Sequence, residues 1–147
     1  MNIACGLTEN GFSVQSDGRF NGTEAVCRPY PGFPTDLHPQ LGALLCLSQT
    51  GGSIRDTVWK HRLKYTEELR KMGADLTAKA GKTVFFPSSF HGSVLRAVDL
   101  RAGAALAAAA LAADGESVIT EAENVQRGYE NFAEKWRHLG GEVWEEP

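Results

Sequence analysis

A chain of 147 residues with 42% hydrophobic and 22% charged side chains is long enough to bury one core, and its composition excludes a disordered polymer. Fifteen Lys and Arg against eighteen Asp and Glu leave a net charge of −3, which argues against phosphate backbone as the main partner, so no nucleic acid is expected. Three cysteines without a C-x-x-C pair exclude a disulfide scaffold and a thiolate zinc site, and a reducing, cytoplasmic setting fits them best.

Met1 to Gly6 carries no basic segment and no long apolar run, so no signal peptide is expected. Turn signals at Glu9-Asn10-Gly11 and Ser16-Asp17-Gly18 bracket a short strand, Phe12 to Gln15. Glu24 to Arg28 reads as a second strand. Pro29, Pro31, Gly32 and Pro34 then forbid regular structure. Thr35 or Asp36 is placed to cap a helix running to about Ser48, with Pro39 tolerated in its first turn. Gly51-Gly52 ends it, and Ser53 to Val58 is a strand. Leu63 to Met72 is an amphipathic helix stopped at Gly73. Asp75 to Lys79 and Thr83 to Phe86 form a hairpin joined at Gly81. Ser93 to Val98 is a strand, and Asp99 or Leu100 opens an alanine-rich helix to Ala113. That helix lacks a polar face and is expected to be buried all round. It is also the longest apolar run, and too short to cross a bilayer. Ser117 to Glu121 is a strand, Tyr129 to Leu139 a helix stopped at Gly140-Gly141, and Glu142 to Glu145 a last strand.

The order repeats. Asp36 and Gly52 recur as Asp99 and Gly115, 63 residues on; Arg62 recurs as Arg127 after 65, and Gly73 as Gly140 after 67. Two α/β units follow, at about 24–91 and 92–147, each with a sheet on one side and two helices on the other.

Most chemistry-bearing motifs dissolve on inspection. Gly81-Lys82-Thr83 lacks the earlier glycine of a phosphate loop and reads as a hairpin turn. The four histidines have no ligand spacing, so no metal is expected. Cys27 and Cys46 read as buried packing residues. Asp36 and Asp99 stand out because each opens a helix at equivalent places. Each could be an N-cap, or a loop carboxylate acting as general base beside an anion site. Arg101 follows Asp99 closely. Arg62 and Arg127 are placed to open the second helix of each unit, either as solvated charges or as guanidinium forks around one carboxylate or phosphate.

These residues lie in motifs that resemble the enolpyruvyl transferase family, in particular the C-terminal part of the UDP-N-acetylglucosamine carboxyvinyltransferases. The matching stretches are Pro29-Tyr30-Pro31-Gly32-Phe33-Pro34-Thr35-Asp36, Asp56-Thr57-Val58 with Arg62, Met72-Gly73-Ala74-Asp75, Asp99-Leu100-Arg101-Ala102-Gly103 and Arg127-Gly128-Tyr129-Glu130. The similarity runs from roughly Gly11 to Glu145. It implies an α/β fold: two βαβαββ-type units of an inside-out α/β barrel, with the lobe that carries the family's catalytic cysteine absent. It further implies transfer of enolpyruvyl from phosphoenolpyruvate to the 3-hydroxyl of UDP-N-acetylglucosamine, in peptidoglycan precursor synthesis and without a cofactor.

By that resemblance Asp36 takes the hydroxyl proton, and Val58 contacts the sugar nucleotide. Arg62 and Arg127 hold the phosphoenolpyruvate carboxylate. Asp99 and Arg101 line the cleft and help addition or elimination. The catalytic set would be Asp36, Asp99 and Arg127. Lys60, His61 and Gln126 depart from the family pattern, where acidic, Asn and Asp residues are usual. The resemblance implies that the chain alone is inactive without the missing N-terminal lobe, supplied in cis or trans. A non-catalytic remnant, a partner-binding module covering the apolar helix, and a piece of the shikimate-pathway transferase remain as alternatives.

Overall fold

Two demands shape the chain up to Phe85: Pro-rich and Gly-rich punctuation cuts short strands, and helices must cover the sheet. The computed structural model describes residues 1–79 and 81–146. In chain order it contains β1 (Ala4–Thr8), β2 (Gly11–Gln15), β3 (Glu24–Cys27), a 3-10 turn (Thr35–Leu37), α1 (His38–Leu47), β4 (Gly52–Asp56), α2 (Lys64–Lys71), β5 (Leu76–Lys79) and β6 (Lys82–Phe85). Then follow β7 (Val94–Arg96), α3 (Leu100–Leu111), β8 (Val118–Thr120), α4 (Glu123–Gln126) and α5 (Phe132–His138). The fold is mixed α/β, as expected.

The main sheet has the order β3-β4-β6-β5. β3 and β4 are parallel, joined through α1, while β6 runs antiparallel to both β4 and β5. β7 and β8 are a second parallel pair, joined through α3. A parallel pair joined through a helix therefore occurs twice. Position 80, between β5 and β6, lies outside the described residues, and Gly81 has a positive φ of 80° that suits glycine. Pro147, the end of the second expected unit, also lies outside them.

The core lies between the helices and the main sheet. Leu45, Cys46, Ile54, Tyr65, Leu69, Met72, Phe85, Leu95 and Leu106 are its buried centre. α3 packs against α1 and α2, which buries Ala102, Ala104, Ala105, Leu106 and Ala109. Its other flank is half-buried or exposed: Ala107, Ala110 and Leu111 face a cavity of about 760 Å³ shared with Phe132, Trp136 and Val143. The helix is thus buried on most of its surface, not all round. The two halves are stitched by polar ties as well. The buried Glu68 carboxylate of α2 accepts from the Arg96 amide of β7 at 2.9 Å, and Ser93 Oγ donates to the Lys71 carbonyl at 2.8 Å.

Several expectations are corrected. Ala4–Thr8 forms an unexpected strand, β1, which pairs with β2 in a hairpin whose loop is Glu9-Asn10. The hairpin is exposed except at Gly6, which is partly buried, and Leu7 is 89% accessible. Residues 142–145 form no strand, because no neighbouring strand offers them a ladder among the described residues. The expected helix from Tyr129 begins only at Phe132, after Asn131 takes a left-handed φ of 48° and breaks the run from α4. No helix among the described residues is long and apolar enough to cross a membrane.

Candidate functional site

Asp36 is not a helix cap. The cap position of the 3-10 turn is Pro34, that of α1 is Leu37, and neither has a side-chain cap hydrogen bond. The Pro34 carbonyl accepts from the Leu37 amide at 3.1 Å, and the Asp36 side chain is left free to point outward. There it meets two arginines. Arg62 Nη1 donates to Asp36 Oδ1 at 2.6 Å, and Arg101 Nη2 donates to Oδ2 at 2.9 Å. One carboxylate thus bridges two guanidinium groups brought from 26 and 65 residues away. Its side chain is 51% exposed, against 10% for Arg62 and 37% for Arg101, so the bridge sits at the mouth of the site with Arg62 at its back wall. Hydrogen bonds from Arg101 and Arg62 hold the Asp36 carboxyl below its ordinary pKa, and Asp36 in turn raises that of Arg101.

Arg62 is fixed from several sides. The same Nη1 also donates to the Thr35 carbonyl at 2.9 Å, and the guanidinium carbon stands 4.8 Å from the centre of the Trp59 ring. Arg62 does not open a helix: α2 starts at Lys64, and Arg62 belongs to the loop after β4. Val58 lies in that loop with its side chain half exposed and its amide turned inward.

Asp99 is a helix cap. Its Oδ1 accepts from the Arg101 and Ala102 amides at 2.9 Å each, which fixes the first turn of α3 and so the direction in which Arg101 leaves it. Arg127 is the C-terminal cap residue of α4, again not the start of a helix. It is exposed, and among the described residues its side chain makes no hydrogen bond or ion pair. The next residue, Gly128, runs close beside the start of α3: a Cβ there would lie 2.8 Å from the Leu100 side chain. The structure therefore brings Asp36, Arg62 and Arg101 into contact, places Asp99 beneath Arg101, and leaves Arg127 unpaired beside the same helix terminus.

Sequence reasoning missed what lies behind Asp36. Asp56, buried at the end of β4, accepts from the Val58 and Trp59 amides on Oδ1, both at 2.8 Å, and from Thr35 Oγ1 and His38 Nδ1 on Oδ2, at 2.5 and 3.3 Å. Burial pushes its carboxyl up, but the Thr35 hydroxyl, the two amides and His38 outweigh it and leave the pKa below its ordinary value. Burial lowers the pKa of His38 despite Asp56, which keeps the imidazole neutral near pH 7. Cys27 completes the group: one donor atom each from Cys27, His38 and Asp56 lies within 4.8 Å of the others. These are metal-type donors, yet Asp56 already accepts four hydrogen bonds, and burial together with Asp56 pushes the Cys27 thiol up to about 11. The set reads as a hydrogen-bonded cluster. Asp56 two residues before Val58 in a loop was the one local signal available, that of a carboxylate folding back on the following amides.

With that geometry in view, comparison with known proteins decides the family. The profile of EPSP synthase (3-phosphoshikimate 1-carboxyvinyltransferase) matches residues 12–136. The chain belongs to this enolpyruvyl transferase family. It is 38% identical to the UDP-N-acetylglucosamine 1-carboxyvinyltransferase of Clostridium botulinum over 141 residues, covering 93% of this chain and 34% of that protein. It is 40% identical to the enzyme of the same name from Deinococcus radiodurans over 147 residues, with the same two coverages. Among solved structures it is similar to the enolpyruvyl transferase NikO from Streptomyces tendae, with a TM-score of 0.88 and 27% identity over 97% of this chain and 33% of NikO. The fold expected from the motifs is thus that of the family. The chain spans about a third of the length of the relatives it matches.

Proposed function

We propose that this chain is the part of a UDP-N-acetylglucosamine carboxyvinyltransferase that binds the sugar nucleotide and supplies the base for its 3-hydroxyl. The observation that carries the reading is the bridge in which Asp36 stands between Arg62 and Arg101. A hydroxyl nucleophile needs a positioned carboxylate, and an anionic co-substrate needs guanidinium groups beside it. Both are here within one hydrogen bond of each other.

In the proposed reaction the sugar oxygen forms a bond to C2 of phosphoenolpyruvate and gives its proton to Asp36, while the methylene carbon gains a proton. The tetrahedral adduct then loses a proton from that carbon and expels phosphate, which restores the enol double bond. Arg62 and Arg127 would hold the co-substrate carboxylate, Arg101 and Asp99 would line the cleft, and Val58 would touch the sugar nucleotide. Asp36 is a weak base while both arginines hold it. Arrival of an anion that recruits Arg62 or Arg101 would free it and raise its basicity, so the base is strongest once both substrates are in place. The two units, about 24–91 and 92–147, would form this half of the cleft. The remaining two thirds of the relatives' length would close it, so that this chain alone turns nothing over. Placing the reaction in peptidoglycan precursor synthesis rests on the names of the relatives.

Titration of the chain with UDP-N-acetylglucosamine by calorimetry tests the reading. Saturable binding that weakens at least about tenfold in Asp36→Ala is expected, with no phosphate released from phosphoenolpyruvate. A preference for shikimate 3-phosphate would move the chain to the other branch of the family. Absence of binding to either compound would favour a non-catalytic domain.

A further inference from the structure

We propose that Asp56 is a positioning residue for Asp36, acting through the Thr35 hydroxyl. The inference rests on the proposed role of Asp36 for its meaning in catalysis, but the contact itself is independent of any substrate.

Asp56 ties three separate segments to one point. Through Oδ1 it closes the loop after β4 on the Val58 and Trp59 amides. Through Oδ2 it holds Thr35, the residue immediately before Asp36, and touches His38 at the start of α1. Thr35 is then gripped on both sides, its hydroxyl by Asp56 and its carbonyl by Arg62. Trp59, whose amide Asp56 fixes, is the ring over which the Arg62 guanidinium lies. One buried carboxylate therefore sets the turn that carries Asp36 and also the platform under its first arginine.

The turn has little else to hold it. The 3-10 turn has no side-chain cap, and its own backbone closes on two bonds, from the Leu37 amide to the Pro34 carbonyl and from the His38 amide to the Thr35 carbonyl. A short 3-10 turn of this kind is weak by itself. A surface carboxylate that only needed to meet an arginine would not require such a tie. A base that must meet both arginines, at 2.6 and 2.9 Å on different oxygens, does.

Because Asp56 is buried, Asp56→Asn endangers the fold, and Thr35 is the better handle. Thr35→Val keeps the shape and removes the hydroxyl; Thr35→Ser keeps the hydroxyl. The Asp36 side-chain carboxyl is followed by carbon-detected NMR against pH, with Asp36→Asn for assignment, and UDP-N-acetylglucosamine affinity is measured alongside. In Thr35→Val the Asp36 titration is expected to move up toward that of a free aspartate and affinity to fall about tenfold, the loss of one hydrogen bond to a charged group. Thr35→Ser is expected to keep both. A folded Thr35→Val chain with unchanged Asp36 titration overturns the proposal, whatever the ligand does. Loss of folding in Thr35→Val overturns it too, since the contact would then hold the fold and not the turn. If the wild-type chain binds no sugar nucleotide while the titration still moves, the positioning role stands and the functional reading fails.

Discussion

Gly103→Ala is the sharpest test of how α3 is packed against α4 and the segment after β7. Gly103 lies in the first turns of α3, its amide bonded to the Asp99 carbonyl at 2.9 Å. A Cβ at this position would lie 2.3 Å from Val125 Cγ2 and 2.9 Å from Ala97 Cβ. Carbon atoms rest at about 3.5–4.0 Å, so α3 or its neighbours must give by about an ångström. Neither neighbour yields easily. Val125 is buried and its branched side chain is stiff, and the Ala97 Cβ cannot rotate away. Against this, replacing glycine by alanine inside a helix gains about 1 kcal/mol. Overpacking costs about 1–3 kcal/mol, and the shorter contact argues for the upper part of that range. The net expectation is a loss of about 1–2 kcal/mol, read from urea unfolding at unchanged slope. Val125→Ala opens space on the same spot, so the double variant is expected to be more stable than the sum of the two by at least about 1 kcal/mol. Because Arg101 leaves the same helix two residues earlier, Gly103→Ala is also expected to weaken sugar-nucleotide binding. A Gly103→Ala chain as stable as wild type, or strictly additive variants, would refute the packing.

Two further outcomes follow from the site and the core. Burial pushes the Cys27 and Cys46 thiols up to about 11 and about 12, whereas Cys5 is exposed, so a disulfide reagent at pH 8 should modify one thiol in the native chain and three in denaturant; a second fast thiol contradicts the core. The folded pKa of Asp36 is depressed below its unfolded value, so its ion pairs stabilise the chain above about pH 4 and that contribution is lost as pH falls through the folded pKa. Half-exposed pairs are screened by water, so Asp36→Asn at neutral pH should cost no more than about 1 kcal/mol, and nothing once the pH lies below the folded pKa. A larger loss measured by urea unfolding would mean that Asp36 serves the fold.

How much of this was legible depends on distance along the chain. The parallel crossovers β3–α1–β4 and β7–α3–β8 could be read because their signals are local: a proline-rich break, an alternating run, a glycine stop. Asp99 could be read as a cap because the amides it accepts from are two and three residues on. Asp36 looked the same locally. What separates the two is that the partners of Asp36 are Arg62 and Arg101, which no short-range rule connects. The Asp56 cluster was invisible for the same reason, since Thr35 and His38 reach it from 21 and 18 residues away. The motifs of the family did connect Asp36, Arg62 and Arg101, though not how they are wired. The strand expected at Glu142 to Glu145 failed in the opposite way. Its alternation was adequate, but a strand exists only where another strand pairs with it.

The alanine-rich helix ties these threads together. Its composition suggested a surface waiting for a partner, yet α1 and α2 already cover most of it. Small side chains there do something more specific. Arg62 follows β4 and Arg101 lies in the first turn of α3, so the bridge at Asp36 exists only if α3 lies close against α1 and holds its N-terminus beside the 3-10 turn. A larger residue at Ala102, which lies in the same core cluster as Leu45 and Cys46 of α1, would push α3 outward and carry Arg101 with it. At 2.9 Å the Arg101–Asp36 contact has little slack, and a displacement of an ångström would break it. The requirement that two arginines share one carboxylate thus reaches back into the core. The run of alanine and glycine in α3 is where the sequence meets it.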